Sequence, residues 1–141
     1  MIVIDATVAI KWYIKEEGTD EADNLLTGEQ ELVAPELIRT EVIAVIRKQI
    51  WHSVPKQSID LLCGRWTRDL QEMSVRLFEN GPLMQPAWNM ATALQHSVYD
   101  CIYLALALNL GVSLVTADAA FVNKAKPRFP RVQLLPGMET D

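Results

Sequence analysis

Residues 97–118, SVYDCIYLALALNLGVSLVTAD, contain the pattern that decides the fold. Ser97 is a typical helix N-cap residue, the apolar run 98–110 predicts a buried helix, and Gly111 is typical of a helix C-cap. The next four residues, 112–115, are mostly apolar, as in a short strand that is covered on both faces. A helix followed directly by a buried strand is the unit from which parallel sheets are built.

The same alternation of strands and helices extends over the rest of the chain. Further strands are predicted at 1–4, 31–34, 74–78 and 132–135. Further helices are predicted at 19–26 with Thr19 as N-cap, from Pro35 to Trp51, from Lys56 to Leu70, from the turn 80–82 to His96, and at 118–125. Helices that connect parallel strands cover both faces of the sheet. We therefore expect an α/β fold, a three-layer α/β/α sandwich with a central, mostly parallel four- to five-stranded sheet, in a single domain spanning residues 1–141.

The composition is that of a globular domain. Of the 141 residues, 50% are hydrophobic and 22% are charged, and the mean hydropathy is +0.08, which excludes a disordered chain. Cys63 and Cys101 lie in no metal-ligand motif, so neither a zinc site nor a disulfide is expected. The longest apolar stretch is shorter than the roughly 18 residues of a membrane span, and no basic leader precedes the first strand. These features predict a cytoplasmic protein without a membrane partner.

Two acidic residues directly follow predicted strands. Asp5 ends the first strand, and Asp118 follows the strand at 112–115. Ligands of a parallel sheet with helices on both faces bind beyond the carboxyl ends of the strands, so both carboxylates are expected at that edge. Each also has a second interpretation as the N-cap of the next helix, a role for which Thr7 competes with Asp5.

Two further acidic residues lie near the starts of predicted helices. Helical spacing places Glu41 beside Ile38 and Val45 on an apolar face, about one and a half turns from the helix start. A carboxylate on such a face needs a partner. Asp100 lies three residues after Ser97, a spacing that also fits a capping box. Both carboxylates are expected at the same sheet edge as the first two.

Four carboxylates at one edge repel one another and raise one another's pKa unless a cation neutralises them. Oxygen ligands suit Mg²⁺ or Mn²⁺, and Mg²⁺ commonly keeps water molecules and substrate phosphate oxygens among its ligands. The four acids therefore predict a divalent-metal site that activates water for an in-line displacement at phosphorus. The net charge of −5 does not exclude RNA, because without these four residues 14 acidic side chains face 13 basic ones.

Four motifs occur in a characteristic order. They are VIDATVA at 3–9, APEL at 34–37 with Glu41-Val42, HSVYDCIYLALA at 96–107, and LVTAD at 114–118 with Phe121. Together they span nearly the whole chain and resemble the PIN-domain ribonucleases, within them the VapC-type toxins of bacterial and archaeal toxin–antitoxin pairs.

The resemblance implies a site, an activity and partners. The family's metal-binding acids match Asp5, Glu41, Asp100 and Asp118, of which Asp5, Asp100 and Asp118 are expected to bind the ion. The hydroxyls that support these carboxylates match Thr7 and Thr116. The implied activity is Mg²⁺-dependent endonucleolytic cleavage of RNA, with Mn²⁺ as a substitute. The implied partners are a second copy in a homodimer and a cognate antitoxin that blocks the acidic site, in a toxin–antitoxin assembly.

Two other functions stay open: a non-catalytic PIN-like binding module, and a housekeeping PIN nuclease without an antitoxin. The basic residues that either line an RNA path or form a solvated helix face are Lys11, Lys15, Arg39, Arg47, Lys48, Arg65 and Arg68. Trp12 and Tyr13 are candidates for stacking on bases or, with Leu25, for contacting an antitoxin. His96 is expected in a surface or packing role.

Overall fold

A five-stranded sheet forms the centre of the computed structural model, which describes residues 1–72 and 75–138. The strands are β1 (Ile2–Ile4), β2 (Leu32–Pro35), β3 (Val75–Phe78), β4 (Ser113–Thr116) and β5 (Val132–Leu134). The α-helices are α1 (Ala6–Ala9), α2 (Thr19–Thr27), α3 (Leu37–Ile50), α4 (Lys56–Glu72), α5 (Met84–Leu94), α6 (Val98–Leu110) and α7 (Ala119–Ala125). Short 3₁₀ helices occupy Ile10–Trp12 and Gly81–Leu83.

The strands lie in the order β3-β2-β1-β4-β5, and every neighbouring pair is parallel. The predicted α/β fold with a central parallel sheet is confirmed. The chain builds the sheet on one side of β1 with β2 and β3, and then on the other side with β4 and β5. The topological switch point therefore lies between β1 and β4, where the connections that leave the two strands diverge and open a crevice at their carboxyl ends.

The central part of α6 belongs to the core. Every residue from Cys101 to Ala107 is buried, which confirms the buried helix predicted from the continuous apolar sequence. Gly111 ends the helix at φ 68°, the left-handed conformation expected of a C-cap glycine. The chain then enters β4 at Ser113, at the amino edge of the sheet. Because a crossover helix runs antiparallel to the strand that follows it, the N-terminus of α6 lies at the carboxyl edge.

The start of α3 differs from the prediction. Pro35 was expected in the helix but is the last residue of β2, where it pairs with Phe78. The ladder tolerates a proline without an N–H because the next residue, Glu36, donates its backbone N–H to Phe78 O at 2.8 Å. The helix begins at Leu37, whose N–H donates to the side chain of Asn80 at 3.1 Å. This cap comes from a loop 43 residues away in sequence, so local sequence does not reveal it.

Smaller differences concern α2 and β3. The N-cap of α2 is Gly18 and not Thr19, whose hydroxyl instead accepts the backbone N–H of Glu16 at 3.0 Å. Ser74, the predicted first residue of β3, lies outside the described residues. Along the described part of the chain, every helix is too short or too polar to cross a membrane.

Candidate metal centre

Two of the predicted acids stand at the switch point of the sheet. Asp5 directly follows β1, and Asp118 lies two residues after the end of β4. The register of the two strands sets Ile4 opposite Val115, so Asp5 is level with Thr116, the last residue of β4. Both acids are therefore at the carboxyl edge, where the sequence placed them.

Asp5 is the most deeply buried of the four acids, with 4% of its surface exposed. Its Oδ1 accepts the Thr7 hydroxyl at 2.5 Å and the backbone N–H groups of Thr7 and Val8 at 3.1 and 3.3 Å, which caps α1. The pKa of Asp5 is raised from 3.8 to about 7, because burial and, to a smaller extent, the charge of Asp100 outweigh the hydroxyls of Thr116 and Thr7, which lower it. The ionised form of Asp5 is therefore disfavoured unless a cation lies near it.

Two threonine hydroxyls connect the ends of β1 and β4. The Oγ1 atoms of Thr7 and Thr116 lie 3.2 Å apart. Thr7 Oγ1 also accepts the backbone N–H of Ala117 at 2.8 Å, and Thr116 Oγ1 accepts that of Asp118 at 3.1 Å. The two predicted supporting hydroxyls thus lie beside the acids and hold the two strand ends together.

Asp100 and Asp118 form a tight group with a residue that the sequence did not predict. One ligand atom from each of His96, Asp100 and Asp118 lies within 4.8 Å of the others. Asp118 Oδ1 also accepts the backbone N–H of Phe121 at 3.0 Å, so its second interpretation as the N-cap of α7 is correct as well. His96 Nε2 lies 2.6 Å from Asp100 Oδ2, and its ring stacks on Phe121 with the ring centres 4.7 Å apart.

The surroundings of His96 correct two expectations. The residue is half-buried and hydrogen-bonded at the site, so a surface or packing role alone does not describe it. The i, i+4 spacing of His96 and Asp100 could have indicated this contact. Because the N-cap of α6 lies between the two residues, they do not belong to one predicted helix, and the spacing alone did not predict it. The capping box is also incomplete: Ser97 Oγ accepts the Tyr99 N–H at 3.2 Å, whereas Asp100 pairs with His96.

Glu41 lies at the border of the buried face of α3. The buried stripe of this helix consists of Ile38, Val42 and Ile46, and Glu41 is half-buried beside it. Glu41 thus lies at the edge of the apolar face, in line with Leu37 and Val45, which also pack against the core. Its Oε1 is buried and has no hydrogen-bond partner among the residues that the structure describes.

The hydroxyl of Tyr103 faces the Glu41 carboxylate. Burial raises the pKa of Glu41, the Tyr103 hydroxyl lowers it, and the charge of Asp100 raises it. Within the described residues the Tyr103 hydroxyl also has no partner of normal hydrogen-bond geometry, so the two groups interact without a well-aligned bond. Two buried polar atoms thus lack a full partner at this edge, which is costly without a further ligand.

These features fit a divalent cation. Across residues 1–72 and 75–138, none of the four acids forms an ion pair with a lysine or arginine. Among the described residues, the one basic side chain that pairs with these acids is His96, which faces Asp100 and is charged only when protonated. The group of His96, Asp100 and Asp118 offers two carboxylates and one imidazole. Asp5 and Glu41 lie outside this group, but the charge of Asp100 raises the pKa of both. Carboxylate oxygens and imidazole nitrogens are both ordinary ligands of divalent metals.

Three candidates for binding RNA or an antitoxin, Lys11, Trp12 and Tyr13, form hydrogen bonds with other residues of the fold. Lys11 is buried and pairs with Glu16 at 2.9 Å, so it does not line an RNA path. Trp12 Nε1 donates to Ala22 O at 2.9 Å, and the Tyr13 hydroxyl donates to Asp69. Both rings are half-buried against the core and are poorly placed to stack on bases.

Comparison with protein families agrees with this geometry. The family model described as PIN domain matches residues 2–127. The chain therefore belongs to the PIN domain family, as its motifs predicted.

The chain is similar to named members and solved structures. Ribonuclease VapC12 of Mycobacterium tuberculosis, in strains CDC 1551 / Oshkosh and ATCC 25618 / H37Rv, is 30% identical over 118 residues, which cover 84% of this chain and 87% of the relative. A toxin–antitoxin complex from Klebsiella pneumoniae contains a chain with a TM-score of 0.68 at 15% identity, covering 94% of this chain and 96% of that one. PAE2754 from Pyrobaculum aerophilum gives 0.64 at 19% identity, covering 87% and 83%. At these identities the two structures support the fold alone.

Proposed function

We propose that this protein is a metal-dependent endoribonuclease and the toxin of a type II toxin–antitoxin pair. The observation that carries the proposal is the position of Asp100. Its charge raises the pKa of both Asp5 and Glu41, and one of its carboxylate oxygens lies within 4.8 Å of a ligand atom of Asp118. The other three acids thus either interact with the charge of Asp100 or lie beside its carboxylate, in a chain of the PIN domain family. The similarity to Ribonuclease VapC12 supports RNA as the substrate.

The proposed metal ligands are Asp5, Asp100 and Asp118, and the proposed ion is Mg²⁺, with Mn²⁺ as a substitute. Carboxylate oxygens suit both ions. Such an ion, when bound, orients a water molecule and offsets negative charge on the phosphate oxygens of the substrate.

The threonines keep two ligands in place. Thr7 donates its hydroxyl to Asp5 Oδ1, and the Thr116 hydroxyl also stabilises the ionised form of this carboxylate. Thr116 accepts the backbone N–H of Asp118 and so fixes the start of α7. These bonds orient the carboxylates before any ligand binds, which lowers the entropic cost of binding.

His96 and Glu41 complete the proposed site. His96 holds Oδ2 of Asp100, which positions that carboxylate. Glu41 has a buried oxygen without a hydrogen-bond partner among the described residues. Such an oxygen is suited to accept a hydrogen bond from the attacking water and to align it with the phosphorus atom.

The proposed antitoxin blocks this site with a basic side chain. Carboxylates without a lysine or arginine partner are a suitable receptor for a guanidinium, which can bridge two of them. This partner is proposed for a chain whose fold also occurs in the toxin–antitoxin complex from Klebsiella pneumoniae. We place the pair in the cytoplasm, where the free thiols of Cys63 and Cys101 stay reduced.

A homodimer is proposed on an exposed apolar surface of α5 and α6. Met84, Trp88 and Tyr99 expose 60%, 64% and 56% of their surfaces. With Gln85, Val98 and Ile102 they line a groove of about 410 Å³. Contiguous exposed apolar surface that includes a tryptophan is typical of protein interfaces.

Cleavage of RNA with and without a divalent cation tests the proposed activity. Purified protein, free of any partner, should cut single-stranded RNA internally in Mg²⁺ or Mn²⁺, and excess chelator should stop the reaction. Cleavage that continues in chelator would contradict the metal requirement. The absence of cleavage with either ion would favour the non-catalytic binding module.

A further inference from the structure

One face of α3 joins the candidate metal centre to a basic and aromatic surface. A groove of about 260 Å³ at the start of this face is lined by Leu37, Thr40, Glu41, Ala44 and Tyr99. A second groove, of about 340 Å³, is lined by Ala44, Arg47, Lys48, Trp51 and His52. Helical spacing sets positions 41, 44, 48 and 51 on the same side of the helix. The two grooves therefore adjoin at Ala44, and together we call them the α3 groove.

The far end of the α3 groove carries unpaired positive charge. Arg47 and Lys48 are exposed, and neither forms an ion pair with a residue that the structure describes. By contrast, Lys11 pairs with Glu16, and Lys56 pairs with the carboxylate one helical turn further on. In a protein of net charge −5, two adjacent unpaired cations form a local site for an anion.

Trp51 orients one of these cations. The guanidinium carbon of Arg47 lies 4.1 Å from the centre of the Trp51 ring, which is a cation–π contact. A guanidinium held in this way loses less freedom when it binds a phosphate. Trp51 is also 41% exposed, so its ring offers a surface on which a base can stack. A guanidinium that can donate hydrogen bonds to a phosphate, beside a ring on which a base can stack, matches the phosphate and the base of a nucleotide.

We infer that the α3 groove binds the RNA strand beside the bond that is cleaved, with Arg47 and Lys48 on backbone phosphates and Trp51 against a base. This inference rests on the proposed function, since it takes the reacting phosphate to lie at the metal centre. Lys48 is two turns of helix from Glu41, or about 10 Å along the axis. The contacts therefore fall within a few nucleotides of the cleaved bond.

Charge and continuity favour RNA over a protein segment in this groove. The α3 groove begins at Glu41, one of the four acids, and its two parts share Ala44 before it reaches the cations. An RNA strand is negatively charged along its whole length, which suits the cations. At the metal centre, where a phosphate of the RNA reacts, the bound ion neutralises the acids. A protein segment that places a basic residue among the acids carries positive charge, which Arg47 and Lys48 repel.

RNA affinity as a function of salt tests the inference. The double variant Arg47→Gln, Lys48→Gln removes both cations and keeps good helix formers. The matched control, Lys126→Gln with Arg128→Gln, removes the same charge from exposed side chains after α7, where the chain returns to the amino edge of the sheet. Both are made in an Asp100→Asn protein and measured in chelator, so that the RNA stays intact. The probe is a fluorescently labelled single-stranded RNA of mixed sequence, followed by anisotropy, and melting curves verify folding.

The Arg47→Gln, Lys48→Gln protein should bind about tenfold more weakly than the control at low salt. The slope of log K against log salt should fall by about 1.4, which is about 0.7 for each lost phosphate contact. Trp51→Ala should weaken binding with little change of slope, because stacking releases no counterions. Equal affinity and slope in the two double variants would overturn the inference and leave an acidic protein segment as the occupant of the groove.

The outcome separates this inference from the proposed function. If the unmutated protein cleaves RNA in Mg²⁺ and the two double variants bind RNA equally, the groove assignment is wrong and the proposed activity stands. If the Arg47→Gln, Lys48→Gln protein loses RNA affinity and the unmutated protein cleaves no RNA, the groove assignment stands and the proposed activity is wrong.

Discussion

The imidazole of His96 is held between two elements that carry acids of the candidate site. Its Nε2 lies 2.6 Å from Asp100 Oδ2 at the start of α6, and its ring stacks at 21° on Phe121 of α7. Phe121 in turn donates its backbone N–H to Asp118, the N-cap of α7. The His96 side chain therefore links Asp100 and Asp118, two of the proposed metal ligands.

Removal of His96 should weaken metal binding. His96→Ala frees the Asp100 carboxylate to rotate, so the affinity for Mn²⁺ should fall by about tenfold to a hundredfold, as for other residues that orient a ligand. His96→Gln keeps an amide that can hydrogen-bond and should lose less. Titration calorimetry with Mn²⁺ measures both, and melting curves report the lost contact with Phe121. Equal Mn²⁺ affinity in His96→Ala and the unmutated protein would show that Asp100 needs no such support.

Asp5 should make the metal-free protein less stable as the pH rises. Its pKa is about 7 in the folded protein against an ordinary 3.8, so the folded state binds the proton more tightly. The stabilisation is complete below pH 4 and is lost as the pH rises to 7, with a total on the order of 4 kcal/mol. Asp5→Asn keeps the cap of α1 without this titration.

Denaturant unfolding in chelator at pH 5 and pH 8 measures the effect of Asp5→Asn. The variant should be more stable than the unmutated protein at pH 8, and its advantage should shrink or reverse at pH 5. A difference in unfolding free energy that is the same at both pH values would mean that Asp5 ionises normally in the folded protein.

Mg²⁺ should raise the melting temperature, because it binds the folded state. At one hundred times the dissociation constant the expected gain is about 2.7 kcal/mol, or several degrees. Asp118→Asn should reduce the rise, whereas Asp23→Asn, an exposed acid of α2, should leave it unchanged. If both variants respond to Mg²⁺ like the unmutated protein, Asp118 serves only as the cap of α7.

The proposed dimer surface is tested by a charge placed at its centre. Trp88 is 64% exposed on α5, so Trp88→Glu should leave the fold intact and convert a dimer into a monomer. Light scattering after size exclusion gives the mass. Trp51→Glu is the matched control, since Trp51 is also exposed, at 41%, but lies outside this surface. A dimer that persists in Trp88→Glu would place the interface elsewhere.

The sequence predicted the acids that follow strands because both the strand and its end are local features. Asp5 and Asp118 needed only an apolar run and the rule that ligands bind at the carboxyl edge. The alternation of strands and helices predicted the α/β fold with a central parallel sheet, and the structure confirms it. The roles of these residues in metal binding, and the single domain over residues 1–141, stay predictions.

Contacts that depend on neighbouring elements were not predictable in this way. His96 reaches Asp100 across a helix cap, and Asn80 caps α3 from a distant loop. Arg47 and Lys48 could not be told from other basic helix residues until the fold placed them with Trp51 in a groove that adjoins the groove of Glu41. The spacing of apolar residues in the sequence predicts a helix or strand and its buried face. The partner of a side chain depends instead on how the helices and strands pack.

The rate of RNA cleavage by Asp100→Asn in Mg²⁺ tests the central claim most directly. Asparagine keeps the shape of the side chain and its contact with His96 but removes the charge that acts on Asp5 and Glu41 and one of the two carboxylates in the group with His96. With enzyme in excess over labelled RNA, the cleavage rate should fall by about a thousandfold or more, while Asp23→Asn cleaves like the unmutated protein. Cleavage by Asp100→Asn at the unmutated rate, in preparations freed of contaminating nucleases, would contradict a metal-dependent ribonuclease built on these four acids.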